Sequence, residues 1–280
     1  TLGQAVTINN GITNSGGINA TAFEGNATAI QWGANASSGT ISNSGQIRAT
    51  GAGTAATSAR AIDIAAGGSL TSIINSGSIS ANRNGTDGTA YGIYDRSGTL
   101  NIIDNTGFIG VTNGATLGNK AIAFDLSANA TGVTVRQLAV AATATAPSII
   151  GEMRFGSGND NLLLQDGTVA GAAIFGNGTD LLSLSGDAVM TGNVTFGAGA
   201  DTITLAGTSQ LLGNLDFAGQ ASNFGLAGTA LYRGSLSNAG LAAVTVGAGT
   251  RLDVTNLGTV ALGSLSTGAG STLGVTIDGQ

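Results

Sequence analysis

The chain has 280 residues with a formal net charge of −6, 48 glycines, one proline, and neither cysteine nor histidine. Only 9% of residues are charged while 42% are hydrophobic, which leaves enough apolar surface to fold but excludes disulfide staples, thiol chemistry and the usual zinc or redox ligand sets. Residues 1–140 carry six basic and six acidic side chains against three and nine in residues 141–280, a bias opposite to that of a nucleic-acid surface.

Gly, Asn, Thr and Ser interrupt nearly every ten-residue window, so no 3.6-residue apolar stripe survives, and Ala-rich Leu138–Ala146 is the one candidate for a short helix. The chain opens at Thr1 without a charged-then-apolar leader, as a trimmed piece of a longer protein would. No apolar run approaches the roughly 18 residues that a spanning helix needs.

From the N-terminus, a first repeat reads Ile12-Thr-Asn14-Ser-Gly16-Gly-Ile18, Ile41-Ser-Asn43-Ser-Gly45-Gln-Ile47, Ile73-Ile-Asn75-Ser-Gly77-Ser-Ile79 and Ile103-Asp-Asn105-Thr-Gly107-Phe-Ile109. The asparagines are 29, 32 and 30 residues apart. Asn and Gly both tolerate positive φ, so each copy is predicted to be strand, tight corner, strand. Stacked copies lie about 4.8 Å apart, and an asparagine column is then expected to exchange amide hydrogen bonds from coil to coil.

Between these corners lie Ala29-Ile-Gln-Trp32, Ala61-Ile-Asp-Ile64, Gly92-Ile-Tyr-Asp95 and Ala121-Ile-Ala-Phe124. Alignment puts Ile30, Ile62, Ile93 and Ile122 in one inward column and Trp32, Ile64 and Phe124 in the next. Asp95 breaks the second column, either by a one-residue shift or by facing out. Asp63, Asp95 and Asp125 then occupy three different offsets.

An Ala/Thr stretch, Ala139 to Ile150, holds the only proline, Pro147, and marks a change of repeat inside one continuous rod. A flexible linker there would be more polar and proline-rich.

Beyond it, Phe155-Gly-Ser-Gly-Asn-Asp160, Phe175-Gly-Asn-Gly-Thr-Asp180 and Phe196-Gly-Ala-Gly-Ala-Asp201 each precede a short alternating strand, with Leu162, Leu164, Leu182, Leu184, Ile203 and Leu205 inward. A weaker copy at Phe217 puts Ser222 in the aspartate position. Second strands are predicted at Val169–Ile174, Val189–Val194, Leu211–Leu215 and Leu231–Leu236, giving two per period. A unit of about 20 residues cannot bury its apolar face alone, so the period predicts an all-β solenoid on the order of ten coils: 1–140 with a period of about 30, and 141–280 with one of about 20.

The run Gly192-Asn-Val-Thr-Phe196-Gly-Ala-Gly-Ala-Asp201-Thr-Ile-Thr-Leu205-Ala-Gly207, with Gly249–Val254 and Gly270–Ile277, resembles the passenger domain of bacterial autotransporters, the type V secreted proteins. The repeats cover the chain from about Ile12 to Ile277. The resemblance implies a right-handed parallel β-helix on the surface of a Gram-negative bacterium, with a signal peptide upstream and a tethering outer-membrane β-barrel downstream. Ladders of Asn, Thr and Ser along an outer face, with little charge repulsion over the first half, are expected to make the rod an adhesin or a self-associating scaffold. A passive stalk for another domain and a polysaccharide-active β-helix enzyme are the alternatives. Expected partners are further copies of the chain, host or abiotic surfaces, and surface glycans.

Gly-x-Gly-x-Asp also resembles the calcium-binding nonapeptide β-roll, but that site needs tandem copies every nine residues and here they are 20 and 21 apart. Corner geometry is the simpler account. Stacked Asp160, Asp180 and Asp201 would raise one another's pKa values unless they turn to water or bind cations. The dinucleotide reading of Gly-x-Gly fails for want of a helix to receive a phosphate. No His or Cys means no Ser-His or Cys-His nucleophile, and the aspartates do not converge as a glycosidase pair would. No catalytic, cofactor-binding or metal-ligating residue is assigned, and no cofactor. Trp32 is expected in the core; Tyr91 and Tyr94 are better candidates for an exposed binding patch. The sequons at Asn19, Asn26, Asn84, Asn129, Asn177 and Asn193 are the chance yield of an Asn- and Thr-rich chain.

Overall fold

A computed structural model of the chain describes residues 6–9, 11–54, 56–85, 88–113 and 121–276; Ile277, where the resemblance ends, lies outside them. Among the described residues every strand pairing is parallel, and 32 strands form three sheets of 12, 11 and 9 strands, here sheets 1, 2 and 3. The chain visits sheet 1, sheet 2 and sheet 3 in turn and then returns to sheet 1 one level higher. Ala36–Asn43, Gln46–Gly53, Ser58–Ile64 and Ser69–Asn75 show one such circuit. This is the right-handed parallel β-helix predicted above, with 11 levels in sheet 2.

No helix forms among the described residues, so none is long and apolar enough to cross a membrane; that statement does not bear on β-barrels. The short helix considered at Leu138–Ala146 is instead an exposed loop between the strands Thr134–Gln137 and Ser148–Ile150. Its alanines have no apolar face to cover, and propensity alone does not hold a helix this short. On both sides of the loop the ladders continue: Thr134–Gln137 pairs with Asn161–Leu164, and Phe108–Asn113 with Ser148–Ile150.

Each short period holds three strands, one more than the sequence suggested. The supposed second strand Val169–Ile174 is broken at Gly171 into Thr168–Ala170 in sheet 2 and Ala173–Ile174 in sheet 3. A two-residue strand shows no alternation to read. The long period arises because sheets 2 and 3 run on past the main core into a wedge filled by Ala27, Ala49, Ala59, Ala81, Ala90 and Val111. Arg83 lies buried by that wedge, donating to the carbonyls of Gly53, Thr57 and Asn84.

The inward columns are continuous. Along sheet 1, Ile41, Ile73, Ile103, Val135, Leu162, Leu182, Ile203, Phe224 and Val244 are paired in register and each is at most 1% exposed. Phe155, Phe175 and Phe196 stack face to face at the turn from sheet 3 to sheet 1, with centroids 4.6 and 4.9 Å apart. Such offset stacks add to simple area burial.

The asparagine column forms as expected. Asn14 donates to Asn43, Asn43 to Asn75 and Asn75 to Asn105, at 2.7, 2.8 and 2.8 Å, and Gln137 continues the column at 3.4 Å. The accompanying glycines, however, are not there for positive φ: Gly45, Gly77 and Gly107 have none. A Cβ on Gly77 would collide with the Gly45 carbonyl, so glycine is required by close stacking of one corner on the next.

Candidate functional site

Three features carry chemistry. The first is the aspartate column. Asp160, Asp180 and Asp201 are at most 1% exposed, so they neither splay into water nor line a groove. One oxygen of each carboxyl accepts a backbone N–H from the coil below: Val133 to Asp160 at 2.8 Å, Asp160 to Asp180 at 2.8 Å and Asp180 to Asp201 at 2.9 Å. The Ser222 hydroxyl oxygen ends the series by accepting from Asp201 at 3.1 Å, as its position in the repeat implied. The second oxygen, Oδ2, of each aspartate is buried with no hydrogen-bond partner. Burial pushes Asp160 up to about 6, against the pull of N–H donors, and Asp180 up to about 7, helped by its charged neighbours in the column. Burial raises Asp201 as well. Among the described residues no three His, Cys, Asp or Glu side chains are placed to hold a metal ion.

The second feature is a polar and aromatic cluster on the outside of sheet 3. Register places Gln31, Asp63, Tyr94, Asp125 and Arg154 in one column, which corrects the expectation that Asp63 and Asp125 sit at different offsets. The reason is local. Tyr91 pairs with Ile122 and Ile93 with Phe124, so Ile122 leaves the isoleucine column and the fourth coil is shifted by two residues from the sequence alignment. Asp95 is neither shifted nor outward. It pairs with Ile64, is 1% exposed, and caps the turn that follows by accepting from the N–H groups of Ser97, Gly98 and Leu100.

Asp63 is fully buried beneath Arg96, which grips it with two nitrogens, and Arg60 at 3.2 Å. Tyr91 and Tyr94 are half-buried and stacked on each other at 4.4 Å, with the guanidinium groups of Arg60 and Arg96 each 5.5 Å from the Tyr94 ring centre. Burial, with the neighbouring Tyr94 and Asp125, raises the Tyr91 phenol. Asp125 is occupied by Ser127 and by Arg154 at 3.6 Å. The carboxylates of the cluster are thus paired within it, and the two tyrosine rings cover one face of each other. Trp32 is core, 3% exposed, its indole N–H donating to the Ala36 carbonyl.

The third feature escaped sequence reading because it depends on register. On the outside of sheet 1, Leu163, Ser183, Thr204, Gly225, Thr245 and Ser266 form one column. Beside it run Asn161, Leu181, Thr202, Asn223, Ala243 and Ser264. No charged residue occurs in either column over six coils, about 24 Å of rod. The stripe begins directly above an ion pair, Asp104 with Arg136 at 2.6 Å, Arg136 being the register partner of Leu163. The described acidic residues of this half lie off both columns: Asp160, Asp180 and Asp201 inside, Glu152 and Asp216 on sheet 3, Asp253 on sheet 2 between Arg233 and Arg251, and Asp166 and Asp187 in the turns after Asn161–Leu164 and Leu181–Leu184.

An open groove of about 540 Å³ between the Val140–Ala146 loop and the Ser76 and Thr106 corners presents no titratable side chain. Of the sequons, Asn129 is buried, its amide donating to the Leu100 carbonyl, whereas Asn19, Asn26, Asn84, Asn177 and Asn193 are exposed. Compared with protein-family models, curated proteins and solved structures, the chain gives no significant match.

Proposed function

We propose that the chain is a structural and adhesive rod, of the kind displayed by autotransporter passengers, that associates side by side with copies of itself through the outer face of sheet 1. The observation that carries this reading is the uncharged double column from Leu163 to Ser266. Side chains of Ser, Thr and Asn at regular rung spacing offer repeated weak hydrogen bonds to an identical partner. With no charge on the stripe, two copies meet there without repulsion or desolvation of ions. The stripe lies in the upper part of the rod because lower down the outer face of sheet 1 carries the charged pair Asp104 and Arg136.

Surface display on a Gram-negative bacterium and tethering by an outer-membrane barrel belong to the same proposal and rest on the resemblance of the repeats. Host surfaces and glycans remain partner classes within it. Sedimentation velocity across a hundredfold concentration range tests the association: a concentration-dependent rise in sedimentation coefficient supports it, and a monomer throughout contradicts it.

One observation favours a second reading. Asp63 and Asp125 share a column two coils apart, about 9.6 Å by rung spacing, near the separation used by inverting glycosidases. Both carboxylates are engaged by arginines, so the reading requires those pairs to open on substrate. Release of reducing sugar from a polysaccharide panel, abolished by Asp125→Asn, would establish it.

A further inference from the structure

We propose that Asp160, Asp180 and Asp201 form a proton-holding column inside the rod, which locks the short coils together when protonated and loosens them when it ionises. The geometry leads to this. The three side chains stack in consecutive coils, each spends one oxygen on an N–H of the coil below, and each leaves Oδ2 buried without a partner. An unpaired carboxylate oxygen in an apolar interior is costly, and a carboxylic acid group carries the smaller burden.

Among the described residues no counter-charge relieves the column. The groups acting on it are the N–H donors of Val133, Gly156, Asp160 and Asp180 together with the other aspartates of the column. Arg136, on the neighbouring strand Thr134–Gln137, is turned outward and held by Asp104. At the upper end stands the neutral Ser222, and on the side of sheet 3 the phenylalanine stack. Asn161, Leu181 and Thr202, the residues after each aspartate, are outward and uncharged.

The sign of the linkage is opposite to that of ordinary acid denaturation. These carboxyls have folded-state values above the unfolded value of 3.8, about 6 for Asp160 and about 7 for Asp180. Their contribution is therefore complete below about pH 4 and is lost as pH rises through about 6 to 7. A rod built this way is tighter in mildly acidic surroundings than at neutrality.

The test compares the wild-type chain with the near-isosteric Asp180→Asn/Asp201→Asn variant in urea unfolding from about pH 4.5 to 7.5. The wild-type folding constant is expected to fall relative to that of the variant by up to about tenfold per pH unit for each proton retained. Infrared spectroscopy of the folded wild type supplies a reading that needs no variant: a protonated-carboxyl band is expected at about pH 5.5 and should vanish by about pH 8. Three results overturn the proposal: no such band at the lower pH, a pH slope shared equally by wild type and variant, or recovery of wild-type stability at neutral pH by millimolar Ca²⁺ alone, which would make the column a cation site.

Discussion

The side-chain amide of Asn43 donates to the side-chain oxygen of Asn75, 32 residues later, at 2.8 Å in the buried corner of the rod. Asn75 passes the same bond on to Asn105 and also donates to the Gly77 and Phe108 carbonyls. Its replacement strands partners on both sides. Asn75→Ala should cost about 2–4 kcal/mol, because buried donors and acceptors lose their partners. Asn75→Asp should cost at least as much, since it puts a charge in the place of two donors. Urea unfolding at neutral pH reads both.

Phe175 lies between Phe155 and Phe196 with both rings nearly parallel to it. Phe175→Ala opens a cavity in a column that cannot collapse sideways, and should cost about 3–5 kcal/mol. Phe175→Leu keeps most of the volume but loses the stack, so a smaller loss is expected. Equal losses for the two variants would count against a specific part for stacking.

Glycines of the rod divide into those the next coil needs and those it does not. A Cβ on Gly176 would run into the Gly156 carbonyl, whereas one on Gly225, outward on sheet 1, meets nothing. Gly176→Ala should prevent normal stacking or lower the melting temperature by several degrees. Gly225→Ala should be neutral or stabilise by up to about 1 kcal/mol, the usual gain from removing a strand glycine.

Asp253 titrates in the opposite sense to the aspartate column. Partial burial raises its carboxyl, but hydrogen bonds from Arg251 and Arg233 outweigh burial and hold it below the ordinary range. Its stabilisation is present above the unfolded value and lost as pH falls through the lowered one. Both arginines are more than half exposed, so the effect should be small and salt-sensitive. Arg233→Gln should shift the acid unfolding midpoint slightly upward, measured by circular dichroism against pH.

Repetition is what made much of the rod legible. Asn14, Asn43, Asn75 and Asn105 recur with the same neighbours, and so do Phe155, Phe175 and Phe196, so their columns could be read from spacing alone. Features with no repeated partner could not. The two-residue strands of sheet 3, such as Ala173–Ile174, are too short to show alternation. The column joining Asp63 to Asp125 depends on a register in which Ile93 pairs with Phe124 and not with Ile122, two residues from the match that the isoleucines suggest. The inward turn of Asp95 depends on a cap formed with residues up to Leu100. The uncharged stripe was invisible for a related reason: its residues are unremarkable singly and gain meaning only when register aligns them.

Because the chain has no cysteine, a single introduced thiol reports on one face at a time. Thr204→Cys places it in the middle of the stripe on sheet 1, and Thr195→Cys places it on the outside of sheet 3 as a control. Under mild oxidation the first is expected to form disulfide-linked dimers far faster than the second, increasingly so at higher protein concentration. Equal rates at the two positions, or no dimer at Thr204→Cys, would contradict side-by-side association through sheet 1.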